Sequence, residues 1–216
     1  MKPENVAPNL ATDASPPPAG IDTRDAAWVR VPTLLAPDAL ATLLRDPEVL
    51  LRINPYFYFK EFRKTGPNAW HLEFENQSNQ QRLTLDMQTQ EGPGQGLTIN
   101  YSQGIKRRTV FSIEPFEQGS MLVVTDDYEH LSEAERTQRE AEVDKSLRAW
   151  GEGLRMFFLR WRRYSWIPGW RGYIRKLWIP MRPTGRRVVW LLFLISIVEF
   201  FFFLFVLLIW VVEHPA

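Results

Sequence analysis

The spacing of apolar positions changes along this chain, and each change marks a different kind of element. Between Tyr56 and Tyr128 apolar and polar residues alternate, the period of strands whose two faces meet different surroundings. Six strands are expected there, at Tyr56–Thr65, Ala69–Glu75, Gln81–Thr89, Gly96–Ser102, Arg107–Pro115 and Met121–Tyr128. Turn signals part them at Gly66-Pro67-Asn68, Asn76–Asn79, Gly92-Pro93-Gly94, Gln103-Gly104 and Glu117-Gln118-Gly119. Connections this short join antiparallel neighbours. Leu83, Leu85 and Met87, then Leu97, Ile99 and Tyr101, then Phe111 and Ile113 fall on one side, which gives the sheet one apolar face that needs a cover.

After Ser132 the period lengthens to three or four. Val143, Leu147, Trp150, Leu154, Phe157 or Phe158 and Trp161 form the stripe of a long amphipathic helix reaching about Tyr164, opened by a capping box of Ser132 and Glu135. Gly151 and Gly153 weaken helix by about 1 kcal/mol each relative to Ala, so they imply a close approach to the sheet or a bend. Ahead of the sheet, Ala27-Trp28-Val29-Arg30-Val31 reads as a first strand. Two short helices follow, one from Ala36-Pro37-Asp38 through Leu43-Leu44 and one from Asp46-Pro47-Glu48 through Ile53, where Asn54-Pro55 stops it.

Near the end the periodicity disappears. Val188 to Val212 reads VVWLLFLISIVEFFFFLFVLLIWVV, 25 residues in which Glu199 alone is ionisable. Such a run crosses a hydrocarbon core of about 30 Å as a helix. The cost of one central carboxylate, roughly 2.5–3.5 kcal/mol on insertion scales, is outweighed by the apolar residues around it. Because intramembrane carboxylates face partners, Glu199 is a candidate contact for a transmembrane helix partner or for a homodimer.

The helix starts at Ala36-Pro37-Asp38, Asp46-Pro47-Glu48-Val49-Leu50 and Ile53-Asn54-Pro55, together with the order of elements over residues 27–163, resemble the START-like superfamily, also called SRPBCC, polyketide cyclase/dehydrase or Bet v 1-like. The fold class so implied is α+β, a helix-grip fold in which an antiparallel sheet wraps a long C-terminal helix, here followed by one transmembrane helix. The chain then divides into a disordered leader at 1–25, a START-like domain at 26–164, a basic and aromatic juxtamembrane segment at 165–187, the span at 188–212 and a short tail at 213–216.

Charge sharpens this division. The net charge of +1 conceals 16 Lys/Arg against 23 Asp/Glu in residues 1–152, and ten Lys/Arg with no acidic residue in residues 153–187. Basic residues next to a span mark its cytoplasmic side, which makes the expected protein a single-pass, tail-anchored component of the cell membrane with its N-terminal domain in the cytoplasm. Residues 160–187 interleave Arg160, Trp161, Arg162, Arg163, Trp166, Trp170, Arg171, Arg175, Lys176, Trp178, Arg186 and Arg187. Rings prefer the headgroup level and cations meet anionic lipids there, so the segment is expected on the membrane surface rather than on nucleic acid, broken into short pieces by Pro168-Gly169, Pro180 and Pro183. The absence of cysteine excludes disulfide and thiolate chemistry.

Within the resemblance, the sheet and helix enclose an apolar cavity for a lipid, an isoprenoid or another hydrophobic small molecule. Phe57, Phe59, Trp70, Leu72, Phe74, Leu85, Met87, Ile99, Tyr101, Phe111 and Trp150 are the cavity candidates, with Arg52 and Asn54 as polar groups to orient a ligand. The same residues also suit a filled core. No catalytic constellation is read from the sequence: Glu73 and Glu75 sit on the solvent face, Asp126 and Asp127 close a strand, and His71, His130 and His214 match no metal spacing. No cofactor is expected. The expected function is a membrane-tethered module that binds a hydrophobic ligand at the cytoplasmic membrane surface. A ligand-free interaction module of a membrane complex and a cyclase- or dehydratase-like enzyme are the alternatives.

Overall fold

The computed structural model describes residues 26–104, 106–128, 133–181 and 183–214, with side chains in the long helix described from Ser146 onward. The expected leader, the capping box at Ser132, the Val143 side chain, His130 and the last two residues of the tail lie outside the described residues. Seven strands form one sheet: β1 (Ala26–Thr33), β2 (Phe57–Gly66), β3 (Ala69–Asn76), β4 (Gln81–Gly92), β5 (Gly96–Tyr101), β6 (Arg108–Phe116) and β7 (Gly119–Asp127). Their order is β1-β7-β6-β5-β4-β3-β2, with every pairing antiparallel. Two short helices, α1 (Pro37–Leu44) and α2 (Pro47–Arg52), carry the chain from one edge of the sheet to the other. In α2 the Asp46 side chain accepts the Val49 amide at 3.3 Å, satisfying one of the donors left over at a helix start.

The loop between β4 and β5 is a short 3₁₀ turn, Pro93–Gln95, in which Gly94 and Gln95 both take positive φ, 61° and 62°. A Cβ on Gly94 would sit 2.5 Å from the Ile113 carbonyl oxygen, so the turn packs directly onto β6. It is a hairpin connection.

The long helix, α3 (Glu133–Tyr164), covers the inner face of the sheet. Leu147, Trp150, Leu154 and Phe158 point into the core, each no more than 3 % exposed. The two glycines account for the closeness of this packing. A Cβ on Gly151 would lie 2.8 Å from Val29 of β1, and one on Gly153 would lie 3.1 Å from both the Ile53 side chain and its carbonyl oxygen. Trp150 fills the centre, its indole donating to the Leu50 carbonyl at 2.9 Å and meeting Phe111 edge-on at 5.6 Å.

Strand β2 departs from strict alternation. Its pairing with β3 shifts register between Phe59 and Glu61, so Lys60 bulges outward. The extra residue puts Phe59 and Phe62, three apart, on the same side with ring centres 5.3 Å apart.

Beyond α3 the chain forms one helical turn, α4 (Trp170–Tyr173), which runs on through a wider turn at Ile174–Trp178, and then α5 (Pro183–Glu213). Within α5, the most apolar 18-residue stretch of Gly185–Trp210 has a mean hydropathy of 3.0, and none of that stretch is buried against the rest of the chain. A core helix is covered by its own protein. This one is not, and at about 39 Å it is long enough to span a bilayer with tilt.

Candidate functional site

Strands β2 to β5 and Leu51 of α2 line a cavity of about 230 Å³. Phe57, Phe59, Leu72, Phe74, Leu85 and Tyr101, all read as candidates, belong to its wall, and Leu83 joins them. Asn76, Asn79, Gln81 and Gln103 make a polar rim. An empty space of about 150 Å³ holds a benzene-sized molecule, so this one takes on the order of ten heavy atoms: a ring system or a short chain, not a whole lipid. Trp70, Met87, Ile99, Phe111 and Trp150 lie outside this wall. The last four are nearly inaccessible and form the packed end of the same core, while Trp70 lies half-buried under Lys64 with the cation 5.5 Å from its ring.

A polar network adjoins the wall. Asp126 is fully buried. Its carboxylate pairs with the Lys106 ammonium and accepts from Thr109 Oγ1 at 2.5 Å and from the Tyr128 hydroxyl at 3.3 Å. Thr109 in turn shares a hydrogen bond of 3.1 Å with the Tyr101 hydroxyl. Lys106, itself on the cavity wall, is also ringed by Phe57, Tyr128 and Trp150 at 5.7–5.9 Å, within range of cation–π attraction. Burial raises the Tyr101 phenol above its ordinary value, and the Asp126 negative charge adds to this. Tyr101 therefore keeps its proton and donates it to Thr109, whose own hydroxyl hydrogen goes to Asp126.

From sequence alone Asp126 and Asp127 read as solvated residues closing a strand, and Lys106 is not considered; the structure buries both carboxylates. The signal was present for Asp126: Leu122 and Val124 face the core, and residue 126 is next on that face. A carboxylate at an inward position requires a partner. Lys106 sits in the loop after β5, where spacing says nothing about direction. Glu73 instead faces outward and pairs with Lys60 at 3.0 Å, and His71 pairs with Asp86 at 2.7 Å. Among the described residues no three potential metal ligands cluster.

Arg52 and Asn54 are not on the cavity wall. They line a second cleft of about 320 Å³, formed where the end of α2 and the start of β2 face Ile179, Pro180, Met181, Arg186 and Arg187. The juxtamembrane segment reaches this place because it folds back on the domain. Ile174 and Ile179 are buried against Val49 of α2, with Phe157, Trp161, Trp170 and Trp178 packed around them. Arg175 pairs with Asp46, and Arg186 donates to the carbonyls of Trp178 and Ile179 at 2.9 and 2.8 Å. Trp166 is left outward at 78 % exposure. Arg160, Arg162, Arg163, Arg171, Lys176 and Arg187 are exposed. Glu199 is exposed on α5, remote from both spaces.

No family model and no curated protein sequence matches this chain. Solved structures do match. The ZhuI aromatase/cyclase from Streptomyces sp. R1128 superposes with a TM-score of 0.52 at 13 % identity, covering 65 % of this chain and 96 % of that one. The di-domain aromatase/cyclase StfQ of the steffimycin biosynthetic pathway gives 0.48 at 12 % identity over 65 % of this chain and 51 % of that one. The protein TTHA0849 from Thermus thermophilus gives 0.45 at 14 % identity over 62 % of this chain and 96 % of that one. Seven antiparallel strands gripping a long helix, in the arrangement also found in an aromatase/cyclase, make this a START-like helix-grip fold, followed by an apolar helix long enough to span a membrane.

Proposed function

We propose that the protein is a membrane-tethered helix-grip module that binds a small hydrophobic molecule, or the apolar end of a larger one, at the cytoplasmic membrane surface. The carrying observation is the cavity between β2 and β5, with its apolar wall and polar rim, in a domain otherwise packed to the centre. Its volume sets the class: a ring system or part of an isoprenoid or acyl chain fits, and a whole phospholipid does not. The uncovered helix α5 supports the tethering, and the basic segment before it supports the cytoplasmic side.

Native mass spectrometry of the full chain, released intact from detergent, tests the reading. The expected result is a retained apolar molecule that Leu83→Trp, which fills the cavity, displaces. An adduct equally abundant in both proteins, or none in either, would overturn it.

A second reading, an enzyme acting on a hydrophobic substrate, is favoured by one observation: Tyr101 and Lys106 present a hydroxyl and an ammonium on the cavity wall, linked through Thr109 and Asp126. An aromatase/cyclase with this fold is consistent with that use of the cavity. Under the first reading, Tyr101→Phe changes ligand affinity alone. Under the second it abolishes turnover of a bound substrate while retention persists.

A further inference from the structure

The cleft beside the cavity has a chemistry of its own. Arg52, Arg186 and Arg187 contribute three guanidinium groups, and no acidic side chain lines it. Arg52 is held by Glu48 at 2.8 Å from behind and by the rings of Phe59 and Phe62 at 5.3 and 5.5 Å. Arg186 is fixed by its two carbonyl acceptors. Arg187 projects with an exposed side chain. Asn54, also on the lining, is 1 % exposed; its Oδ1 accepts the Tyr56 amide at 3.0 Å, but its Nδ2 has no partner. A buried amide donor without an acceptor is costly, so a ligand oxygen at this point would be favoured. Donors and cations around one space, with no negative charge among them, suit an anion with several oxygens.

The cleft shares Phe57 and Phe59 with the apolar cavity, and its far side is the first turn of α5. We propose that this cleft binds the phosphate of an amphiphile's head, with Arg52, Arg186, Arg187 and the Asn54 amide as donors, while the apolar part of the same molecule reaches the cavity across the Phe57–Phe59 wall. This rests on the reading of the cavity as a ligand site and adds the class of ligand to it. Two thirds of the lining cations come from outside the helix-grip domain, so the site exists only because the juxtamembrane segment docks on α2. Position favours a lipid head as the source of the phosphate: Arg186 and Arg187 of the lining stand at the start of α5, and the start of a spanning helix lies at headgroup depth.

The experiment uses the full chain in maltoside micelles, titrated with dihexanoyl phosphatidic acid, dihexanoylglycerol or inorganic phosphate, with binding read by native mass spectrometry. The six-carbon chains match a cavity of this size. Phosphatidic acid should bind at least about tenfold tighter than the neutral diglyceride, the scale of a charge-assisted hydrogen bond. Arg187→Gln and Arg186→Gln should each remove most of that preference, and Arg63→Gln, which deletes an equal charge on the sheet, should not. Arg187 carries the decision, because its side chain is exposed and its loss leaves the fold in place, whereas Arg186 also holds the turn at Trp178. Inorganic phosphate that displaces phosphatidic acid at equal concentration would assign the cleft to free phosphate and overturn the amphiphile. Equal binding of the diglyceride and phosphatidic acid overturns the head site and leaves the cavity reading standing. Binding of neither lipid removes both.

Discussion

At the scale of single residues, the informative group is the one around Asp126. A fully buried carboxylate is tolerated because an ammonium, a threonine hydroxyl and a tyrosine hydroxyl meet it, and removing one member of such a set leaves the rest uncompensated. Asp126→Ala would therefore cost on the order of 3 kcal/mol, much of it as the penalty on Lys106. Tyr101 gives this network a readable pH signature. Its phenol is raised in the folded protein above the ordinary value of 10.0. Above that pH the unfolded chain releases the proton and the folded chain keeps it, so the contribution is fully present below pH 10 and is lost as pH rises beyond it. Unfolding in urea, followed by near-ultraviolet circular dichroism at pH 9 and at steps above 10, should show wild type falling relative to Tyr101→Phe by up to about 1.4 kcal/mol per pH unit. Parallel curves would remove the buried phenol from the argument.

Among the elements, the segment at 165–187, whose composition led to the expectation of short pieces on a membrane surface, packs in part against the domain itself. Ile174, Ile179, Trp170 and Trp178 pack toward α2 and α3, while Trp166, Leu177 and most of its basic residues remain outside. Ile174→Ala with Ile179→Ala removes the two side chains buried against Val49, each change typically costing about 2–5 kcal/mol of packing. The expected result is local: faster trypsin cleavage after Arg175 and Lys176, with the sheet as resistant as before. Unchanged cleavage in the double variant would show that the segment is held by something else. The contrast with the sheet explains what was legible in the sequence. All seven strands and the long helix announce themselves through periodicity, since each has one face that must be buried. Periodicity even offered Phe157 and Phe158 as alternatives, and the fold uses both, Phe158 in the main core and Phe157 in the cluster with Trp161. The bulge at Lys60 was hidden, because a register shift belongs to the pairing of two strands and not to either one. The cleft was hidden for the same reason: Arg52 and Arg187 lie far apart in sequence, and nothing local says that they face one space.

For the whole molecule, the question is how domain and membrane are joined. With α5 in a bilayer, the full chain should stay in the membrane pellet through high salt and alkaline carbonate. A chain lacking 185–214 should retain only salt-sensitive attachment through its basic residues. Release of the full chain by carbonate would contradict a span. The packing of Ile174 and Ile179 on Val49 then has a mechanical consequence. A domain on a slack tether tumbles and samples every orientation above its anchor, but here the last turns before α5 are bolted to α2, so the swivel is gone. With α5 in a bilayer, what would remain is gliding in the plane and spinning about the membrane normal. The mouth of the cavity would then keep one height and one tilt, and any molecule received or passed on would be exchanged at that height, with a donor or acceptor moving in the same two-dimensional sheet.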